Sequence, residues 1–246
     1  MPFLRSLLIL LAFLSPALGQ DGPRYAASAR DAAQALQLHL DEVLKSGGRP
    51  DYTTLPVSNL FRRVFDLEAL AALPPPKPSD MAWMFDWGDV ANRTNQLIIL
   101  FGLKPGPDLD RAALWRNLTE YEDQYAAALN FMFRFRARQA TTTFLFIDQL
   151  TPDQRTPIRE AGLQKARDGA AEMMAGAVIS VAQGMKPTNA RMITAAMRDT
   201  RDIWATYILP NDRTHIINLV TETPKTVMDD EVQKNLAAVA AALAPK

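Results

Sequence analysis

Apolar residues recur at every third or fourth position along most of the chain, and this period constrains the fold more than any other feature. That spacing places side chains on one face of an α-helix, whereas a half-buried strand needs strict alternation. The clearest stripes run from Tyr25 to Val43, from Trp83 to Phe101 and from Leu114 to Phe135. The chain has no cysteine, so an apolar core must hold these helices without disulfides. The pattern predicts an all-α protein.

Proline, glycine and capping residues divide this pattern into segments. Gly47-Gly48 ends the first helix, and the prolines between residues 74 and 78 favour a stiff connector because they cannot propagate a helix. Thr151-Pro152-Asp153-Gln154 has the layout of a capping box at a helix start. We expect helices over approximately 25–46, 60–70, 79–101, 109–150, 152–183, 188–209, 210–223 and 227–243.

Four long segments form two pairs, each joined by a Lys-Pro turn, at Lys104 and at Lys186. Short turns make neighbouring helices antiparallel, so we expect a helical bundle built from two long helical hairpins with short flanking helices. The second turn follows the first by 82 residues, and identities continue at that offset, as in Tyr125 and Tyr207. An internal duplication and two unrelated hairpins both remain open.

Residues 129–147 are the ambiguous part of the pattern. Three phenylalanines alternate there with three arginines, as in a strand: Phe131, Phe133 and Phe135 with Arg134, Arg136 and Arg138. A hairpin would need turn residues between 139 and 143, and that segment holds no Gly, Pro, Asn or Asp. We therefore expect a helix, with a strand as the alternative.

The N-terminus has the layout of a secretory signal peptide. Arg5 precedes an unbroken apolar run from Leu7 to Leu14, and Ala17-Leu18-Gly19 supplies small residues before Gln20. The run is shorter than the ~20 residues of a membrane span. We expect a signal peptide over 1–19, N-terminal helices and a proline-rich connector over 20–78, and the helical bundle over 79–246, packed as one domain. The location would be periplasmic, or secreted.

Composition and missing motifs limit the function classes. Twenty-seven basic and 27 acidic residues balance, which gives no electrostatic reason to expect nucleic acid as a partner. His39 and His215 both lack the Glu three residues earlier that a di-iron bundle needs, so we expect no metal and no cofactor. No G-x-S-x-G elbow, S-x-x-K motif or phosphate-binding glycine loop occurs. We therefore expect no catalytic activity.

Two groups of side chains are candidates for ligand binding. Trp83, Trp87, Trp115 and Tyr121 are placed to line a cavity, while Arg134 and Arg138 share a helix face that suits a carboxylate or phosphate. The structural alternative is that the aromatic residues form core and the arginines lie at the surface with their stems over apolar groups.

The five residues from Leu150 to Gln154 resemble the LTxxQ motif of small periplasmic helical chaperones and stress sensors. Those proteins carry the motif twice, whereas it occurs once here, and a capping box after leucine produces the same letters. The chain is therefore assigned to no family.

We expect an exported binding or interaction protein without catalytic activity, whose partner is an unknown protein or small ligand. One alternative is a periplasmic sensor-like bundle with a small-ligand pocket near Trp83 and Trp87. Another is a hydrolase or lyase that uses Asp, Glu and Arg residues from separate helices.

Overall fold

The computed structural model describes residues 24–104, 106, 108–223 and 227–245, and these residues contain no strand. The predicted signal peptide, residues 1–19, lies outside the described residues. The all-α helical bundle is confirmed. Its helices are α1 Arg24–Lys45, α2 Val57–Val64, α3 Leu67–Ala72, α4 Met81–Ile99, α5 Arg111–Glu120, α6 Glu122–Asp148, α7 Pro157–Ala182, α8 Pro187–Asp199, α9 Arg201–Tyr207, α10 Pro210–Glu222 and α11 Asp230–Leu243.

Two apolar cores lie on opposite sides of α6. The N-terminal core joins α1 to α4 with one face of α6, and Trp87, which has no exposed surface, lies at its centre. The C-terminal core joins the other face of α6 to α7 through α11 and includes Trp204. A helix with apolar side chains all around is buried on all sides. Helix α6 is therefore the shared wall of the two cores.

This arrangement explains the strand-like alternation of the three phenylalanines. Residues two apart on a helix point to nearly opposite faces, whereas residues four apart share one. Phe131 and Phe135 stack in the N-terminal core with ring centroids 5.3 Å apart, while Phe133 lies in the C-terminal core. The helix expected over residues 129–147 is confirmed, and the strand alternative is wrong.

Three helices that the pattern predicts as continuous are interrupted in the structure. Residues 60–70 belong to two helices because Asp66 caps the second through the Ala69 N–H at 2.8 Å. The predicted helix over 109–150 breaks at Tyr121, whose ring turns into the N-terminal core. The helix over 188–209 breaks at Thr200, whose hydroxyl accepts the Trp204 indole N–H at 2.8 Å. Such side-chain bonds compete with the helical backbone pattern.

The predicted capping box is present, but it closes a single turn of 3-10 helix over Pro152–Gln154. The Gln154 side chain accepts a hydrogen bond from the Thr151 N–H at 3.1 Å. Helix α7 begins only at Pro157, after Thr156, whose hydroxyl caps it. The predicted start of this helix at residue 152 is therefore wrong, because the 3-10 turn and a short loop precede α7.

Both Lys-Pro turns follow a glycine with positive φ, +71° at Gly102 and +93° at Gly184. Glycine in this conformation ends many helices, because a Cβ there would be strained. A glycine with positive φ is common at unrelated helix ends, so the internal duplication stays a prediction.

Candidate functional site

The cleft beside Trp115 is the candidate binding site, with a volume of about 350 Å³. It lies where α5 and the start of α6 face the C-terminal end of α7. Its lining residues are Trp115, Leu118, Thr119, Glu122, Tyr125, Ser180, Gln183, Gly184 and Met185. Small-molecule pockets span about 300–1,000 Å³, so this cleft suits a compact ligand or a single side chain.

Local sequence explains how the two walls of the cleft form. Asp110 accepts a hydrogen bond from the Ala113 N–H at 3.0 Å and so caps α5, the helix that presents Trp115. On the other side, the left-handed Gly184 turns the chain sharply from α7 toward α8. The residues after Ala182 therefore close the far wall.

The acidic groups at the edge of the cleft are already hydrogen-bonded within the protein. Glu122 Oε1 accepts from the Lys186 N–H at 2.7 Å and from the Asn189 amide at 2.8 Å. Asp123 accepts from the Lys186 ammonium at 2.8 Å, and this bond holds its carboxyl pKa below the usual value. Both carboxylates connect the start of α6 to the start of α8. These bonds fix the acidic edge of the cleft.

The hydroxyl groups of Tyr125 and Ser180 are among the polar groups of the cleft. Ser180 Oγ donates to the Gly176 carbonyl at 2.9 Å, and the Tyr125 hydroxyl lies 3.4 Å from Ser180 Oγ. Burial raises the pKa of Tyr125, so its phenol keeps its proton at neutral pH. A ligand in the cleft therefore meets a neutral hydroxyl beside the indole of Trp115.

No protein family, curated protein or solved structure matches this chain. Among the described residues, no group of three or more His, Asp or Glu side chains is arranged to hold a metal ion. None of the helices within the described ranges is long and apolar enough to cross a membrane.

Of the residues proposed from the sequence, Trp115 lies in the cleft, whereas Trp83 and Trp87 belong to the N-terminal core. Trp87 is fully buried, and its indole N–H donates to the Val64 carbonyl at 3.0 Å. Trp83 is half-buried and donates to the Asp80 carboxylate at 3.2 Å. Both indole N–H groups thus have partners inside the protein.

Tyr121 lies deeper, near a second cleft of about 350 Å³ lined in part by Arg49, Arg116 and Asn117. Its ring is buried edge-on against Tyr52, with centroids 5.4 Å apart. The Arg49 guanidinium lies 5.8 Å from the Tyr121 ring and forms an ion pair with Glu120. Tyr121 therefore supports Arg49 rather than lining the cleft itself.

Arg134 and Arg138 do not meet around a common anion. Arg134 forms an ion pair with Asp199 at 2.8 Å and also donates to Asn130. Arg138 donates to the Pro74 carbonyl in the proline-rich connector. The i,i+4 spacing put them on one face, but each guanidinium extends to a different neighbouring segment.

The sequence analysis missed Glu122, Tyr125 and Ser180 as members of one site. Tyr125 is recognisable as part of an apolar helical stripe, but nothing near it in the sequence indicates where its hydroxyl points. Ser180 lies 55 residues further along the chain, so only the tertiary fold brings the two together. No local motif carries that information.

Proposed function

We propose that this protein is an exported, non-catalytic binding protein of the cell envelope, and that the cleft beside Trp115 holds its ligand. One observation carries the proposal: the Trp115 side chain is 45% exposed on the wall of a cleft, while Trp87 and Trp204 are buried in the two cores. An exposed indole beside a cleft is costly to leave in water and contributes strongly when a partner covers it.

The cleft defines the chemistry of the ligand. Trp115, Leu118 and Met185 offer an apolar surface, and the Tyr125 phenol offers a hydrogen bond next to it. A ligand with a compact aromatic or aliphatic group and a nearby polar atom fits this combination, as does a single apolar side chain of a peptide. Glu122 Oε1 is bonded to Lys186 and Asn189, so the acidic edge of the cleft is held in place before a ligand binds.

Binding is tested by native mass spectrometry of the protein purified from the envelope fraction of its own host. We expect a bound mass on the wild type and its loss in Trp115→Ala. Ile158→Ala is the matched control, because Ile158 is 60% exposed at the far end of α7, roughly 30 Å from the cleft along the helix. A bound mass that survives Trp115→Ala, or that disappears equally in the control, contradicts the assignment of this cleft.

Export is tested separately by intact mass. Full-length protein expressed in a bacterial host should be recovered from the periplasmic fraction starting at Gln20. Ala17→Arg places a large charged residue three positions before the cut and should block processing. Recovery of uncleaved wild-type protein from the cytosol would refute export and leave the binding test unaffected.

A further inference from the structure

A second group of side chains, separate from the Trp115 cleft, contains more hydrogen-bond donors than acceptors. Its centre is Gln139 on α6, which is only 5% exposed. The Gln139 carbonyl oxygen accepts from Arg136 Nη1 at 2.6 Å, but its amide nitrogen Nε2 is buried without a hydrogen-bond partner. A buried donor that lacks an acceptor costs about 1–3 kcal/mol, so native proteins rarely leave one unfilled.

Arg136 itself lacks a carboxylate partner. Within the described residues, no acidic group lies in ion-pair distance of its guanidinium. Asp89 on α4 attracts it from further away, yet Asp89 is paired with Arg93 at 2.8 Å. Burial lowers the pKa of Arg136, which reflects the cost of keeping this cation away from water. An anion beside Arg136 would remove that cost.

Arg167 and Tyr207 add two further donors from α7 and α9. The Arg167 guanidinium lies 5.9 Å from the centre of the Tyr207 ring, and its Nε is buried with no acceptor. Burial raises the pKa of Tyr207 to about 12, although both Arg136 and Arg167 act to lower it. The phenol therefore keeps its proton and can donate. The acid next to Arg167, Asp168, instead accepts from Gln164 at 2.7 Å.

Gly88 closes this group on the side of α4. A Cβ at Gly88 would lie 3.5 Å from Arg136 Nη1 and 3.6 Å from Gln139 Nε2, so the α4 backbone runs directly beside both nitrogens. Helix α4 thus lies beside Arg136 and Gln139, while Arg167 and Tyr207 come from the C-terminal half. Tyr207 connects the two pairs, because the charges of both Arg136 and Arg167 act on its phenol. Arg136 and Arg167 are each only partly buried.

We propose that Arg136, Gln139, Arg167 and Tyr207 bind the phosphate group of a small soluble molecule. Two guanidinium groups without carboxylate partners favour an anion that carries close to two negative charges, as phosphate does at pH 7. Arginine forks, an amide N–H and a phenol O–H are all donors to phosphate oxygens. A singly charged carboxylate would neutralise one of the two cations. This proposal does not depend on the function proposed for the Trp115 cleft.

Thermal unfolding in the presence of inorganic phosphate, compared with acetate at the same ionic strength, tests the proposal. We expect phosphate to raise the Tm of the wild type saturably, because a ligand that binds only the folded state stabilises it. Arg136→Gln and Arg167→Gln should each weaken phosphate binding by at least about tenfold, since each removes charge-assisted hydrogen bonds. Arg111→Gln is the matched control: Arg111 is exposed on α5, and its loss changes net charge equally.

Gln139→Glu provides a variant of nearly the same shape. Its carboxylate would pair with Arg136 from within the protein, so we expect a folded protein that no longer responds to phosphate. Equal responses in the wild type and all four variants, or no phosphate response in the wild type, would overturn the proposal. So would a response to acetate alone. Co-sedimentation with phosphatidic acid vesicles, without any effect of inorganic phosphate, would assign the donors to a lipid headgroup and overturn the soluble ligand.

Discussion

Phe133 and Phe135 are two residues apart on α6, yet they lie in different cores. The Phe133 ring meets Trp204 edge-on at 6.4 Å, whereas the Phe135 ring meets Trp87 at 5.2 Å. Both phenylalanines are fully buried. Because α6 contributes side chains to both cores, we expect a substitution that disrupts one core to destabilise the other as well.

Phe133→Ala and Phe135→Ala should each lower the free energy of unfolding by about 3–5 kcal/mol, the usual cost of a cavity of this size. Because the cores share α6, both variants should still unfold in one transition. Hydrogen exchange at the indole N–H groups of Trp87 and Trp204 in urea measures this, since each is hydrogen-bonded in a different core. Exchange of one indole well before the other would contradict a single cooperative unit.

Gly88→Ala should destabilise the protein by about 1–3 kcal/mol, in spite of the better helix propensity of alanine. The new Cβ would lie 2.9 Å from Phe135 Cε1, too close without movement of a packed ring. Gly169→Ala on α7 is the control, because nothing lies within 4 Å of its Cβ position. That variant should gain up to about 1 kcal/mol. Urea denaturation followed by circular dichroism compares the two.

Asn117→Ala should cost roughly 2 kcal/mol. The buried Asn117 amide donates to the carbonyls of Ile99 and Phe101, at 3.1 Å and 2.9 Å, where α4 ends. Removing the donor leaves two carbonyl groups without their partner. Thr119→Ala, on the exposed side of the same helix, should change stability by less than about 0.5 kcal/mol. Similar losses of Tm in the two variants would argue against the role of Asn117.

Asp229→Asn should reduce stability at neutral pH but have little effect in acid. Asp229 caps α11, and its hydrogen bond from Arg191, followed by that from the Val232 N–H, lowers its pKa in the folded protein. A lowered pKa stabilises the fold above the unfolded value, about 3.9, and this contribution disappears as pH falls through the folded value.

Thermal unfolding of the wild type and Asp229→Asn between pH 2 and pH 7 measures that contribution. The difference in Tm should narrow below about pH 4. Arg191→Gln should remove most of the same pH dependence, since its hydrogen bond is the largest cause of the shift. A difference that stays constant over the whole pH range would show that the charge of Asp229 is irrelevant.

The helices were predictable because apolar period and turn chemistry are local properties of the sequence. Their interruptions were not. At Tyr121 the ring packs against Tyr52 in the N-terminal core, and at Thr200 the hydroxyl accepts from the indole of Trp204, whose ring is buried in the C-terminal core. The alternation of Phe131, Phe133 and Phe135 was informative, but its meaning depended on which surfaces α6 would meet. When apolar side chains lie on two opposite faces of one helix, they alternate along the sequence as they do in a half-buried strand.

The polar sites were less predictable than the helices. Sequence spacing selected Arg134 and Arg138, and the structure places Asp199 beside the first and the Pro74 carbonyl beside the second. Arg136, on the other face, has a side-chain amide as its partner and no carboxylate in ion-pair distance. Whether an arginine is available to a ligand depends on which acids the tertiary fold brings near it, and these acids lie far away in the sequence.

The position of α6 between the two cores also determines which of its faces is covered first during synthesis. When α6 leaves the ribosome, α1 to α4 already exist to cover its Phe131 and Phe135 side, but the partners of Phe133 have not been made. An apolar stripe on α6 stays bare until the C-terminal helices follow. A chain that stopped early would keep it exposed, and such exposed surface promotes aggregation.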